Sequence, residues 1–489
     1  FNLPLAFGDL RGTFSNRAEL KKMNRLAEVK LITAEKLAAL GSWFGEPYPK
    51  GRLNEAWERL LFNHFHDIIG GSHTDDVYNQ AMNRYASVVD TSEEIAEGAL
   101  DAISRRIDTS GLRYPLLVFN PLSFFRTDVC RYIAVFREHV EDFSLYNDRG
   151  EEVPLRILDR RFRNRGIRTV LFEFLAEDLP PLGYAVYSIL PKKPKEAFRP
   201  SEGTCIENEF YRVELEPETG YVKSIFDKVE QREVVDSSEY LGNELVAVEE
   251  EEPDLEGRLS LTDKIFRGKD YPGCTITCER SPLASVLRVE GRFEGCRRLQ
   301  EVVLYRKISR IDFRTTLADF KGKDLFLKVC FPLRLDWGRV KIVQEMPYCV
   351  SPRPEGYYCA QTFVDCCDRE YGVALVNKGT ASYWVEDGKL EMVLLRAVSD
   401  YKGYYAPLAA EEGTHAFEYS LYTHRGEPGS DLVKVAHGFN NPILVVGTDG
   451  HPGELGRRLS LVSVAPEEFE VTVVKRAEDG DGIVIRGWE

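Results

Sequence analysis

The hydrophobic period of this chain changes once, near residue 110, and that single change limits its fold more than any other feature. Up to that point apolar residues recur at three and four. Residues 16–40 read as a long helix in which Leu20, Met23, Ala27, Leu31, Ala34 and Leu37 form one stripe, with Asn16 as its N-cap. Gly41 and the turn at 45–51 end it. A second helix starts near Asn54, with Leu53, Trp57, Leu60, Leu61 and His64 on one face. A third starts near Asp75, read as an N-cap with Asp76 in the first turn. Its stripe is Ala81, Tyr85, Val88, Ser92, Ile95, Ala99 and Ile103. Three long helices with short connections predict an antiparallel bundle over residues 1–110.

Beyond Thr109-Ser110-Gly111 the period is two. Leu116 to Phe119, Thr169 to Leu175 and Tyr184 to Ile189 are solidly apolar or alternating runs, which predicts a small β-sandwich domain over 111–200. The polar, proline-rich stretch at 191–203 reads as a linker. Phe210 to Leu215 turns through Pro217 to Gly220 into Tyr221 to Ile225, a hairpin with its turn chemistry in place. Short strands and glycine turns continue to the end with no second helical block, so residues 201–489 are expected to form one or more large β-sandwiches. The fold class is therefore mainly β with an N-terminal α three-helix bundle. The acidic run Glu249 to Glu252, with Asp254 and Glu256, reads as a solvated loop, with calcium binding as the alternative.

Charge and cysteine usage narrow the function classes. The 489 residues carry 64 Lys plus Arg against 79 Asp plus Glu, a net charge of −15. An acidic chain without a basic block is poorly suited to nucleic acid or an anionic membrane. No apolar run approaches the ~20 residues of a membrane helix. No signal-peptide pattern is present, and the chain opens on Phe1 rather than Met, so an upstream segment is expected. Ten cysteines include no Cys-x-x-Cys pair; Cys274 and Cys278 lie four apart and Cys366 and Cys367 are adjacent. Neither arrangement is a zinc signature, and the thiols are expected reduced in a cytoplasmic protein.

One stretch stands out for chemistry. Asn63-His64-Phe65-His66-Asp67-Ile68-Ile69-Gly70-Gly71-Ser72 places two histidines and a carboxylate at the end of a helical pattern and then breaks at paired glycines. His66 lies about 200° around the helix from His64, so the two rings point different ways. His64 shares the apolar face and reads as packing; His66 reads as a ligand. The alternative is a core histidine beside a capping carboxylate.

That stretch, extended from Leu60 and followed by Asp75-Asp76-Val77-Tyr78, resembles the middle helical domain of the glycoside hydrolase family 38 α-mannosidases. Arg11 to Asn16 is similar to the segment entering the family's bundle, and Val118 to Ser123 to the entry of its β domains. Glu207 to Phe210, Tyr371 to Asn377, Leu390 to Arg396 and His415 to His424 follow in the family's order. Within the resemblance His64 replaces Gln, Gly70 replaces Pro and Leu10 replaces a frequent His. The resemblance implies a three-helix bundle followed by packed β-sandwiches, including a galactose-mutarotase-like supersandwich. It implies a retaining exo-α-mannosidase acting on a mannose-containing oligosaccharide, with one divalent metal, usually Zn2+. His66 would be a metal ligand, Asp67 would contact sugar hydroxyls, and Arg396 would reach the substrate from the β domain. The nucleophile, the acid/base carboxylate and the other metal ligands would come from an N-terminal α/β domain upstream of Phe1, leaving this chain inactive alone and open to homo-oligomer formation. His73-Thr74-Asp75 mimics the family's His-x-Asp pair, but at a position that marks it as coincidence. Two other readings differ in class. A stand-alone carbohydrate-binding or scaffold module would bind sugar without zinc. A different sugar-active enzyme with its carboxylates in the β domains would survive mutation of His66.

Overall fold

A computed structural model of the chain describes residues 12–163, 166–192, 202–251, 259–398, 406–466 and 468–488. Four helices come first: α1 (Ala18–Gly41), α2 (Lys50–Asn63), α3 (His66–Ile69) and α4 (Asp75–Ser104). The expected stripes form the bundle core. Leu20, Ala27, Leu31 and Ala34 of α1 meet Leu53 and Leu60 of α2 and Ala81, Tyr85, Val88 and Ile95 of α4 in one buried cluster. Farther along, Leu37, Ala99 and Ile103 pack against Leu117, Phe119, Tyr184 and Val186. The bundle thus sits directly on a β-sheet rather than hanging from a linker.

Two helix starts differ from expectation. Helix α1 begins at Ala18, and its cap comes from far away: the Glu411 carboxylate accepts the Ala18 N–H at 2.6 Å. Asn16, expected to cap it, instead accepts a bond from Lys21 Nζ at 3.0 Å. Helix α4 begins one residue earlier than a cap at Asp75 would place it, with Thr74 as the flanking residue and the Thr74 carbonyl accepting the Tyr78 N–H. Asp75 is freed for tertiary contacts, as described below.

The first sandwich faces a five-stranded sheet against a three-stranded one, all pairings antiparallel. Strands Pro115–Asn120, Asp142–Tyr146 and Gly183–Lys192 make one sheet together with Leu444–Gly447 and Arg458–Ser460, which return from the far end of the chain. Its strands are therefore not contiguous in sequence. Leu116, Val118, Phe143, Phe172, Phe174 and Tyr187 fill its core. The large sandwich pairs a nine-stranded with a six-stranded sheet over a second core that includes Leu245, Val302, Phe313, Leu327, Phe331, Leu375 and Tyr419. The expected hairpin forms, with Val213 opposite Ile225.

A short fifth helix, α5 (Ser430–Asn440), interrupts the β region where no helix was expected. Leu432 and Ala436, four residues apart, are buried on Phe363, Ala374 and Val376. The final hairpin, Glu470–Arg476 with Ile483–Trp488, turns Val471 and Val474 towards Ala39 of α1. The acidic run also departs from the solvated-loop reading. Glu250 lies in the strand Glu244–Glu250 and is buried, while 252–258 fall outside the described residues, as do 193–201 of the expected linker. All ten cysteines are unpaired thiols. No helix among the described residues is long and apolar enough to cross a membrane.

Buried charges lock the two sandwiches together. Asp128 of the small sandwich receives Arg126 from its own strand at 2.7 Å and Arg310 of the large sandwich at 2.8 Å. Burial alone would raise the Asp128 carboxyl; Arg310 and Arg126 more than offset this and hold it well below the usual carboxylate range. The ionised pair therefore stabilises the fold at all pH values above the unfolded value of about 3.9 and loses that contribution progressively as acid is added below it. Replacing Asp128 by Ala leaves buried Arg126 without a carboxylate and Arg310 with Asp312 alone, and should cost about 3–5 kcal/mol. In denaturant titrations, Asp128→Asn should also flatten the fall in stability below about pH 4 relative to the unaltered chain.

Candidate functional site

The predicted ligand is presented by a break in the chain, not by the end of a long helix. Helix α2 stops at Asn63, His64 remains helical as its C-cap, and Phe65 is extended at φ −54° and ψ 133°. His66 then opens the single turn α3, held by Ile68 N–H and Ile69 N–H bonding back to the Phe65 carbonyl at 2.8 and 2.9 Å. The turn has one inward residue. Ile68 is 6% exposed and belongs to the bundle core, whereas the side chains of His66 and Asp67 are 81% and 66% exposed. Rotation along α2 is thus not what separates the two histidines. His64 is a half-buried polar contact, its Nε2 3.0 Å from Asn24 Oδ1 and 3.4 Å from Glu28, rather than an apolar packing residue.

His66 and Asp67 stand side by side, Nε2 to Oδ1 3.6 Å, with the Phe65 ring 4.3 Å from the imidazole between centroids. Phe65 and, in the last turn of α2, Leu61 and Phe62 are each more than half exposed. Such a cluster of large apolar side chains at the surface of a well-packed bundle marks a face suited to another protein segment.

Sequence patterning did not reveal what fixes the turn. Arg17, with side-chain exposure of 0%, reaches across from the start of α1 and donates through Nε to the Gly71 carbonyl at 3.1 Å. Its Nη2 donates to the His73 carbonyl at 2.7 Å and to Asp75 Oδ1 at 2.9 Å. Asp75 also accepts the Leu408 N–H at 3.0 Å. One guanidinium therefore holds both ends of the segment that follows His66 and Asp67, and Asp75 ties it to the β region. Gly71 has φ +78° and lies so close to this assembly that a Cβ there would sit 2.4 Å from Asn16 Oδ1.

Beneath lies a buried charged layer. Burial raises the Glu411 carboxyl to about 7 despite its bond from Ala18 N–H and the nearby Lys21 and Arg17. Burial lowers the Lys21 ammonium to about 7 against the attraction of Glu411. Arg396 is placed in this layer. It is fully buried, its guanidinium is engaged by both oxygens of Glu250, and its backbone N–H bonds the Ser15 carbonyl at 2.8 Å. A Cβ on Gly12 would lie 2.9 Å from its Cδ. Arg396 is thus brought near the His66 region through the 12–17 segment, but it presents no open surface. His73 is likewise buried, with Asp75 committed to Arg17, so the His-x-Asp pair is structural.

As a metal site this surface supplies a partial set. The His66 imidazole is open and unencumbered, and Asp67 is beside it, which fits one or two ligands of a divalent ion. Among the described residues no group of three His, Cys, Asp or Glu is placed to hold a metal. Zinc requires three or four protein donors, so further ones would have to come from elsewhere.

With this geometry in place, the comparisons assign a class. Residues 10–103 match the α-mannosidase middle domain and residues 206–402 match the glycosyl hydrolases family 38 C-terminal domain. Together these cover more than half of the chain, which belongs to glycoside hydrolase family 38. It is 23% identical to α-mannosidase G of Dictyostelium discoideum, over 98% of this chain and 46% of that protein. It is 25% identical to human α-mannosidase 2C1, over 98% of this chain and 44% of that protein. The chain thus spans less than half the length of these relatives. A family 38 protein from Enterococcus faecalis superposes with a TM-score of 0.85 at 21% identity, over 98% of this chain and 65% of that structure. The bundle-plus-sandwich architecture is therefore shared.

Two substitutions test the clamp. Arg17→Ala leaves two carbonyls without this donor and Asp75 without its cation, and should destabilise the chain by about 3–5 kcal/mol, read by chemical denaturation. Gly71→Ala forces a side chain into positive φ and into Asn16; it should cost about 1–2 kcal/mol from backbone strain alone and increase amide exchange at residues 66–72.

Proposed function

We propose that this chain is the middle and C-terminal part of a retaining α-mannosidase that removes terminal α-linked mannose from an oligosaccharide. An N-terminal α/β domain, in the same polypeptide or as a separate subunit, supplies the nucleophile and the acid/base carboxylate. The observation that carries the reading is His66 and Asp67 projecting together from a rigidly anchored turn, with the exposed Phe65 ring against the imidazole. This exposed surface is the face on which the catalytic domain docks.

In this reading His66 is one ligand of a divalent ion, Zn2+, completed by the N-terminal domain. When bound, the ion would polarise sugar hydroxyls and offset charge as the oxocarbenium-like transition state forms. The chain's own residues position. Ile68 and the Arg17 clamp keep the imidazole aimed outward. Asp67, as an ionised acceptor, takes hydrogen bonds from adjacent mannose hydroxyls and orients the ring. Arg396 supports the 12–17 segment from below through Glu250. The reduced cysteines fit a cytoplasmic protein.

Retaining hydrolysis needs two carboxyl groups about 5 Å apart across the scissile bond, and His66 with Asp67 provides only one. This chain alone should therefore leave an aryl α-mannoside uncleaved, while the chain extended upstream by its α/β domain should turn it over. In that extended protein His66→Ala should lower kcat/KM by at least about 100-fold and reduce zinc retained on dialysis. Turnover by residues 1–489 alone, or full activity in His66→Ala, would falsify the assignment.

A further inference from the structure

Far along the chain from His66, the final hairpin, α5 and the strand pair Lys341–Met346/Cys349–Arg353 enclose a cavity of about 400 Å³. Its walls include Trp488, Tyr348 and Val350; Ser430, Lys434 and Glu470 face the same space. We propose that this cavity is a binding site for a neutral hexopyranose, separate from the His66 surface and independent of any metal.

The polar groups are built in, not incidental. Glu470 is only 9% exposed and accepts from His437 Nδ1 at 2.7 and 2.8 Å through its two oxygens. The opposite nitrogen of His437 meets Glu345 at 2.5 Å, and Glu345 also accepts from Thr362. Burial alone would lower the imidazole, but Glu345 and Glu470 bring it up to about 10, so the ring stays charged and the carboxylate it holds cannot swing away. Lys36 approaches the same corner from α1, bonding the Val471 carbonyl at 3.5 Å. The fixed Glu470 retains lone pairs for a further donor.

The remaining features select the ligand class. The His437 ring lies 6.5 Å from Trp488. An apolar ligand would leave the remaining lone pairs of Glu470 and the Lys434 ammonium without a partner in the cavity. An anion would face Glu470 and Glu468; a cation would face Lys434 and the imidazolium behind Glu470. A pyranose has no charge, an apolar C–H face for the indole and phenol rings, and hydroxyls that both donate and accept. The volume falls in the ordinary range of small-ligand sites, about 300–1,000 Å³.

The experiment is a titration of the chain, isotope-labelled at tryptophan, with methyl α-D-mannopyranoside, followed at the indole N–H resonances. A saturable shift of the Trp488 resonance is expected. Read by calorimetry, since the variant lacks the reporting indole, Trp488→Ala should weaken binding by about tenfold with unchanged thermal unfolding. Tyr348→Ala should weaken it as well, and His66→Ala and added chelator should leave it intact. A linear mannotriose run in parallel distinguishes the sources: tighter binding than the monosaccharide assigns a stretch of a longer glycan, equal binding a single sugar. No saturable shift, an affinity unchanged in Trp488→Ala, or binding that disappears in His66→Ala or with chelator would overturn the proposal. The last outcome would place the sugar at the His66 surface and leave the mannosidase reading standing; the others leave that reading untouched.

Discussion

The buried guanidinium of Arg17 is the interaction on which the presentation of His66 rests. A four-residue helix has no stability of its own, because nucleating a turn fixes several torsions for little hydrogen-bond return. Here one side is pinned by Ile68 in the bundle core and the other by Arg17 on the Gly71 and His73 carbonyls. Arg suits this task because its planar fork can address a carbonyl and a carboxylate together, a geometry that a lysine ammonium does not reproduce. Its burial is tolerable because Asp75 neutralises it and Tyr78 lies against it, 4.9 Å from guanidinium carbon to ring centroid.

The same logic recurs wherever the layers meet. Asp128 joins the sandwiches through Arg126 and Arg310, Glu173 receives Arg156 from its own sandwich and Arg314 from the other, and Glu250 holds Arg396 under the 12–17 segment. Apolar burial holds each unit together, and charge pairs fix how the units are set against one another. Buried ion pairs contribute little net stability over an apolar alternative, but mispaired they are costly. A contact surface built from them admits one relative placement, which is what a site shared with another domain requires.

Most of the architecture was legible because core stripes repeat locally. Leu20, Ala27, Leu31 and Tyr85 could be recognised from spacing alone, and the break in period located the start of the β region. The outward pose of His66 was also anticipated, although through a continuous helix that the structure replaces with a break at Phe65. What spacing could not show were the partnerships. Arg396 with Glu250 and Glu411 with Ala18 join residues hundreds of positions apart or nearly so, and long-range pairing leaves no local signature. Hence Glu250 was read as part of a solvated acidic run, and the pairing of Arg396 with it left no trace in the sequence. Helix α5 escaped notice because eleven residues with two inward anchors look much like the short apolar runs around them.

The return of strands Leu444–Gly447 and Arg458–Ser460 into the first sandwich has a temporal meaning. On the ribosome, strands Pro115–Asn120 and Gly183–Lys192 emerge long before the partners Leu444–Gly447 and Arg458–Ser460 that finish their sheet. Until then two hydrogen-bonding edges stay open, a state in which edge strands recruit whatever extended chain is nearby. Those two returning strands are therefore a clasp. Synthesis must pass residue 460 before the platform beneath the helices is closed, and a message cut short before that point would release a chain already committed to its fold yet unable to seal it.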